Sequence, residues 1–171
     1  GVGKQVIPDT SVFFQKELGF DEIPSFSIHS TCLSFLVALN VAANFLVNGA
    51  YNKVLIISAD RGTRGRNFNE PESSALLGDA AAAVVVEKSD VNEKSKIIDY
   101  SMKTYPAGSN LTEVRGGGTN LHPHDKNTTY SDNLFSMNGP MIYKMARKTV
   151  YDQIQKDLQK HQLEIDDINL L

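Results

Sequence analysis

The chain holds one cysteine, Cys32, among 171 residues. A single cysteine cannot close an internal disulfide, so a reducing, cytoplasmic setting is the default expectation. There is no excess of positive charge either: the formal net charge is −3. Nucleic-acid binders usually carry a basic patch or stripe, so nucleic acid is not an expected partner. No apolar run is long enough for a membrane. The longest, Leu33 to Val47, falls short of the roughly 20 residues a span needs and contains Asn40 and Asn44. The start, Gly1-Val2-Gly3-Lys4, does not have the basic-then-apolar pattern of a secretory signal. It also lacks an initiator Met, and the end, Ile168-Asn169-Leu170-Leu171, reads as a strand just beginning. The expectation is therefore a piece of a larger protein.

What is present is a globular composition, with 41% hydrophobic and 22% charged residues. Thr10 to Leu18 reads as a helix, with Thr10 as its cap and Gly19 as its stop. Phe26 to Ser30 reads as a short strand after Pro24. Cys32 then opens a helix running to about Asn48, with Ser30 or Thr31 as N-cap and Gly49 as breaker. That helix is apolar almost all round, which predicts burial inside the fold. Lys53 to Asp60 follows as a strand with the run Val54-Leu55-Ile56-Ile57. Such runs suit strands covered on both faces, and strand, helix and strand together predict a βαβ unit in a parallel sheet. A polar loop from Arg61 to Ser74 leads to a small-residue strand, Ala80 to Glu87. Lys88 to Lys96 is the expected domain boundary, giving parts 1–90 and 91–171. Ile97 to Tyr105 reads as a further strand, Pro106 to Asp132 as a long loop, and Met141 to His161 as an amphipathic helix.

Cys32 stands where a strand meets a helix. Free amides and the macrodipole at a helix N-terminus favour negative charge, and the thiolate is the form of cysteine that attacks. A small buried hydrophobe is the usual fate of a lone cytosolic cysteine and is the favoured reading on position alone. The nucleophile reading stays open beside it. His29, three residues earlier, invites a Cys-His pair, but a hydrogen-bonding role in the core is the simpler reading. His122, His124 and Asp125 lie in a loop with no HExxH or cysteine partner, so they read as solvated residues and no metal site is assigned. The run Gly116 to Gly118 lacks the spacing of a phosphate-binding loop and reads as a turn.

Three stretches then carry a resemblance. Ser25-Phe26-Ser27-Ile28-His29-Ser30-Thr31-Cys32-Leu33-Ser34-Phe35, followed by the apolar helix and Lys53-Val54-Leu55-Ile56-Ile57-Ser58-Ala59-Asp60, resembles the nucleophile segment of beta-ketoacyl-ACP synthase III. Leu77-Gly78-Asp79-Ala80-Ala81-Ala82-Ala83 resembles that family's "FGDGAGA" segment, and Met137-Asn138-Gly139 through Tyr143-Lys144-Met145-Ala146 the start of its "MAGNEVFKVA" helix. The resemblance implies a thiolase-like α/β fold, with mixed, mostly parallel sheets and a buried nucleophile helix. Residues 1–90 would be the later part of the N-terminal half, and 91–171 the beginning of the C-terminal half. It implies a homodimeric acyltransferase of fatty acid or related biosynthesis that needs no cofactor. Acyl-CoA and malonyl-ACP would be its substrates, and acyl carrier protein its partner.

Residue by residue, the resemblance makes Cys32 the acyl-accepting nucleophile. It places Ile7 where the family puts a bulky apolar residue that reaches the partner's acyl pocket, and Leu76, Leu77 and Phe135 at acyl-pocket positions. An ordinary interface or core aliphatic is an equal reading of Ile7. Lys144 matches a carrier-docking lysine. Arg147 and Lys148 share its helix at spacings of three and four, and such a patch attracts an acidic carrier. The bland reading of the three is a solvated face. The family's decarboxylating His and Asn are expected past the last residue given. The departures are Ala80 and Ala82 for two glycines, Pro71 near a position often held by Arg against CoA, and Pro140 for Asn. They point to a divergent member. Two other readings remain: a catalytically silent thiolase-fold dimer partner, and another cysteine-dependent condensing enzyme, such as one making hydroxymethylglutaryl-CoA or an alkylquinolone precursor.

Overall fold

A computed structural model describes residues 3–169. The chain divides into two compact units: Gly1–Arg64 with Leu77–Lys103, and Gly65–Leu76 with Thr104–Leu171. The segment 65–76 thus groups with the later residues, and the first unit runs on to residue 103.

In the first unit, α1 spans Thr10–Glu17. Its N-cap is Asp9 rather than Thr10, and the Asp9 carboxylate accepts the Ser11 N–H. Bonding to the Ser11 hydroxyl foremost holds the Asp9 carboxyl below the usual range. Gly19 ends the helix at φ 68, a conformation that costs glycine little. The stretch Phe26 to Ser30 forms no strand. Hydroxyls in it and just before it reach back instead: Ser27 Oγ donates to Asp9 Oδ2 at 2.9 Å, and Ser25 Oγ to Gln15 Oε1 at 2.8 Å. These side-chain bonds anchor the segment toward α1, and the expected βαβ pairing is not made.

Helix α2 spans Ser34–Val47 and stops at Gly49, where φ is 71. It packs on β1, Lys53–Arg61, and on β2, Asp79–Glu87. Among the described residues, Ala42 and Leu46 of α2 and Ile56 of β1 are the buried apolar ones. Phe45 extends this contact, meeting Phe26 and Tyr51 edge-on at centroid distances of 6.3 and 5.3 Å. Such pairs contribute about 0.5–1.5 kcal/mol each beyond area burial. The expectation of a fully buried helix is corrected: Leu36 and Val47 are 53% and 72% exposed.

The parallel sheet is also corrected. β1 and β2 pair antiparallel, from Lys53 opposite Glu87 to Arg61 opposite Asp79. The reason lies at the strand ends. The Thr63 N–H and hydroxyl donate to the two Asp79 oxygens, both at 2.9 Å. A Cβ on Gly62 would stand 2.7 Å from the Gly78 carbonyl oxygen, so glycine permits this close approach. Pinned there, the chain returns beside β1 without a crossover. Ile97 to Tyr105 forms no strand; Ile97 and Ile98 are exposed, and no described strand pairs with them.

In the second unit, the four-residue helix α3, Pro71–Ser74, begins on Pro71, where a missing N–H costs nothing. The short strands β3, Thr112–Glu113, and β4, Ser136–Met137, pair antiparallel. Helix α4 spans Gly139–His161, with Asn138 as N-cap and Pro140 in its first turn. Ile165–Asp167 forms a single 3-10 turn, and Ile168 after it is extended. The rest of the strand expected there, Leu170 and Leu171, lies outside the described residues. Among the described residues, no helix is long and apolar enough to cross a membrane.

Two carboxylates organise this unit's loops. Asp132, only 4% exposed, accepts from the Thr129 N–H at 2.8 Å and the Thr129 hydroxyl at 2.7 Å, and pairs with the Arg115 guanidinium. Its pKa is lowered to about 2, foremost by the Thr129 N–H, then by that hydroxyl and Arg115. Glu70 accepts from Asn67 Nδ2 and Ser136 Oγ at 3.1 Å, and from the Met137 N–H at 3.2 Å.

A depressed folded-state pKa stabilises the protein above the unfolded carboxylate value of about 3.9, and that stabilisation is lost as pH falls toward about 2. Asp132→Asn is therefore expected to lower the urea midpoint at pH 6. The gap to wild type should close as pH falls through this window; a gap independent of pH counts against the assignment.

Candidate functional site

Cys32 lies in a 3-10 turn, Thr31–Leu33, that leads directly into α2. The expected single helix from Cys32 is thus a tight turn followed by an α-helix. Neither Ser30 nor Thr31 caps it with a side chain. The hydroxyl of Ser34 does the local bonding instead. It accepts the Ser30 N–H at 2.9 Å and donates to the Thr31 carbonyl at 2.7 Å. The Leu33 N–H donates to the Ser30 carbonyl at 3.0 Å, closing the turn.

Within this turn Thr31 adopts φ 47. That left-handed conformation is an outlier for a β-branched residue and costs on the order of 1–3 kcal/mol. The bonds around it hold the strained residue in place, and the residue that follows is Cys32, which is exposed. Among the described residues, Cys32 is not packed as a small buried hydrophobe. His29 is exposed too, so it does not sit in a core.

The first unit also contains a cavity of about 620 Å³, with Phe14, Phe26, His29, Ser34, Phe35 and Ile56 in its wall. Ser34 and His29 bring it to the turn, while Cys32 lies outside its lining. Of the two residues before Pro8, Val6 lines the cavity and Ile7 does not. Ile7 is 80% exposed. Leu77, also of the first unit, is half-buried.

The remaining positions named from the sequence belong to the second unit. Leu76 is 70% exposed, and Phe135 is half-buried, its N–H donating to the Gly65 carbonyl at 2.8 Å. Lys144, Arg147 and Lys148 are all exposed on α4. His122 and His124 stack edge to face at 4.9 Å, and the His124 N–H donates to His122 Nδ1 at 3.2 Å. The His122 N–H donates to Asp125 Oδ2, also at 3.2 Å, so these residues fold their own loop. Gly117 supplies a positive φ of 85, in keeping with a turn at the glycine run.

Sequence reasoning missed Ser34, Glu70 and Asp132. Serine in a first helical turn, three residues after a possible acceptor carbonyl, is a recognisable local pattern. The tie from Glu70 to Ser136 spans 66 positions and has no local signature.

With this geometry in place, the class follows from comparison with solved structures. A 3-oxoacyl-(acyl-carrier-protein) synthase III matches with a TM-score of 0.87 at 19% identity, covering 99% of this chain and 53% of that one. The 3-oxoacyl-[acyl-carrier-protein] synthase III of Aquifex aeolicus VF5 matches with 0.79 at 24% identity, covering 98% and 49%. The fold is thiolase-like α/β.

The sequence comparisons point to the same group of proteins. Residues 26–106 match the family model of 3-oxoacyl-[acyl-carrier-protein (ACP)] synthase III. The beta-ketoacyl-[acyl-carrier-protein] synthase III of Aliarcobacter butzleri is 29% identical over 164 residues, which is 95% of this chain and 49% of that protein. That of Campylobacter fetus subsp. fetus is 30% identical over 165 residues, 96% and 49%. The resemblance to beta-ketoacyl-ACP synthase III is therefore shown along nearly the whole chain. The chain spans about half the length of the curated relatives it matches.

An exposed lone thiol has a direct chemical signature. A disulfide reagent such as Ellman's is expected to titrate one thiol per native chain without denaturant, and none in Cys32→Ser. A thiol that reacts only after unfolding contradicts the exposed turn.

Proposed function

We propose that this chain carries the acyl-accepting segment of a beta-ketoacyl-ACP synthase III-type condensing enzyme. The carrying observation is the exposed Cys32 directly after the strained Thr31, at the mouth of α2. The family match over 26–106 supports it, because it includes this turn.

In this reading, the Cys32 thiolate attacks the carbonyl of an acyl-CoA thioester. The tetrahedral adduct collapses, the CoA thiolate leaves, and the acyl group stays on Sγ. Malonyl-ACP then loses carbon dioxide. Its carbanion attacks the acyl-cysteine carbonyl, the carbon–sulfur bond breaks, and beta-ketoacyl-ACP departs as the Cys32 thiolate is restored. Backbone amides would stabilise the oxyanion. Ile7, Leu76, Leu77 and Phe135 are the proposed acyl-contacting residues. Lys144, Arg147 and Lys148 are the proposed docking patch for acidic acyl carrier protein. A homodimer in the cytoplasm and a mechanism without a cofactor complete the proposal.

The test uses the full-length protein. Incubated with a series of acyl-CoA thioesters, it should gain the mass of one acyl group. In Cys32→Ser the adduct should form roughly 10³-fold more slowly or not at all. Absence of an adduct with every primer overturns the reading.

The docking patch has its own kinetic signature. Lys144→Glu combined with Arg147→Glu should raise the KM for malonyl-ACP about tenfold at low salt and leave acylation by acyl-CoA unchanged. Added salt should shrink the difference. An unchanged KM removes the patch from the carrier site.

A further inference from the structure

We infer that Ser34 is the positioning residue of the acyl-accepting turn. The inference rests on the proposed role of Cys32 and adds a device that holds the thiol in place. The Ser34 hydroxyl is bonded on both sides of the strained residue. It accepts the N–H of Ser30, before Thr31, and donates to the carbonyl of Thr31 itself. Those two peptide groups bracket the torsion that stands at φ 47. Ser34 is half-buried and sits in the first position of α2, so its own backbone is anchored by the helix.

The consequence follows from the covalent chain. An L-residue with a branched side chain relaxes toward negative φ unless something prevents it. Relaxation at Thr31 would rotate the peptide unit that joins Thr31 to Cys32, and with it the direction of the Cys32 side chain. The Thr31 carbonyl also accepts the Ser34 N–H. Loss of the hydroxyl therefore leaves the helix start intact but takes away the bond to the Ser30 N–H. The turn would survive, and what would be lost is its hold on the torsion that aims the thiol.

Ser34 touches no reacting atom in this proposal; it acts through the backbone. Reaction rates are sensitive to such displacement, because misplacement by about 1 Å can cost roughly 10²-fold. A small, freely diffusing alkylating reagent makes no comparable demand on direction.

The test is a single-turnover acylation series on the full-length protein, read by intact mass, with an acyl-CoA that acylates wild type. Ser34→Ala and Ser34→Gly both remove the hydroxyl. Each is expected to lower the maximal acylation rate about 10²-fold with the half-saturating acyl-CoA concentration unchanged. Ser34→Thr, which keeps a hydroxyl, should return the rate to within about threefold of wild type. The rate of Cys32 alkylation by iodoacetamide should stay within about threefold in all variants. Wild-type acylation rates in either hydroxyl-free variant overturn the inference and leave the role of Cys32 standing. So does an equal fall in acylation and alkylation, which indicates general loss of structure. A wild-type protein that gains no acyl group on Cys32 overturns the parent reading, and this inference with it.

Discussion

The apolar length of α2 has to be covered, and in the first unit β1 and β2 supply the cover. Ala42 and Leu46 of the helix and Ile56 of β1 close against water, and the rings of Phe26, Phe45 and Tyr51 extend the contact. This contact locates the helix, and the helix locates its own first residue. Ser34 is that residue, and its hydroxyl reaches back over the turn that carries Cys32. Hydrophobic burial is non-directional, whereas hydrogen bonds have geometry. The site uses both: burial sets where α2 lies, and two hydrogen bonds set the backbone at its mouth.

The second unit solves a different problem. Long polar loops have backbone groups to satisfy and little apolar surface to bury. Asp132 and Glu70 each gather donors from several points of the chain. An ionised carboxylate accepts charge-assisted bonds, which are stronger than neutral ones. Asp132 also closes the loop around Gly116, whose N–H donates to the Asp132 carbonyl at 2.7 Å. Helix α4 then presents its basic residues from an element with regular geometry.

Much of this was legible from local signals. Gly19 and Gly49 ended the helices where expected, because a positive φ is open to glycine and closed to most others. The strands expected at 53–60 and 80–87 formed at 53–61 and 79–87, and the helix expected at 141–161 formed at 139–161. The expected strands at 26–30 and 97–105 failed for one shared reason. A strand is defined by its neighbour, and residues with strand-forming side chains do not say who the neighbour is. At 26–30, the hydroxyl of Ser27 bonds to Asp9, and that of Ser25 just before the stretch bonds to Gln15, in place of a ladder. The sheet direction was missed similarly, since nothing local shows that Asp79 will hold Thr63.

By itself, the sequence carried the resemblance to beta-ketoacyl-ACP synthase III, the single thiol and its place just ahead of an apolar helix. These are properties of residue identity and order, and they survive any arrangement in space. Only the tertiary structure decided that Cys32 is exposed, that Thr31 before it is held at φ 47, and that Ser34 is the group bonded across that torsion. Exposure depends on what packs nearby. A strained torsion persists only when surrounding bonds outweigh its cost. Neither can be read until the chain has folded back on itself.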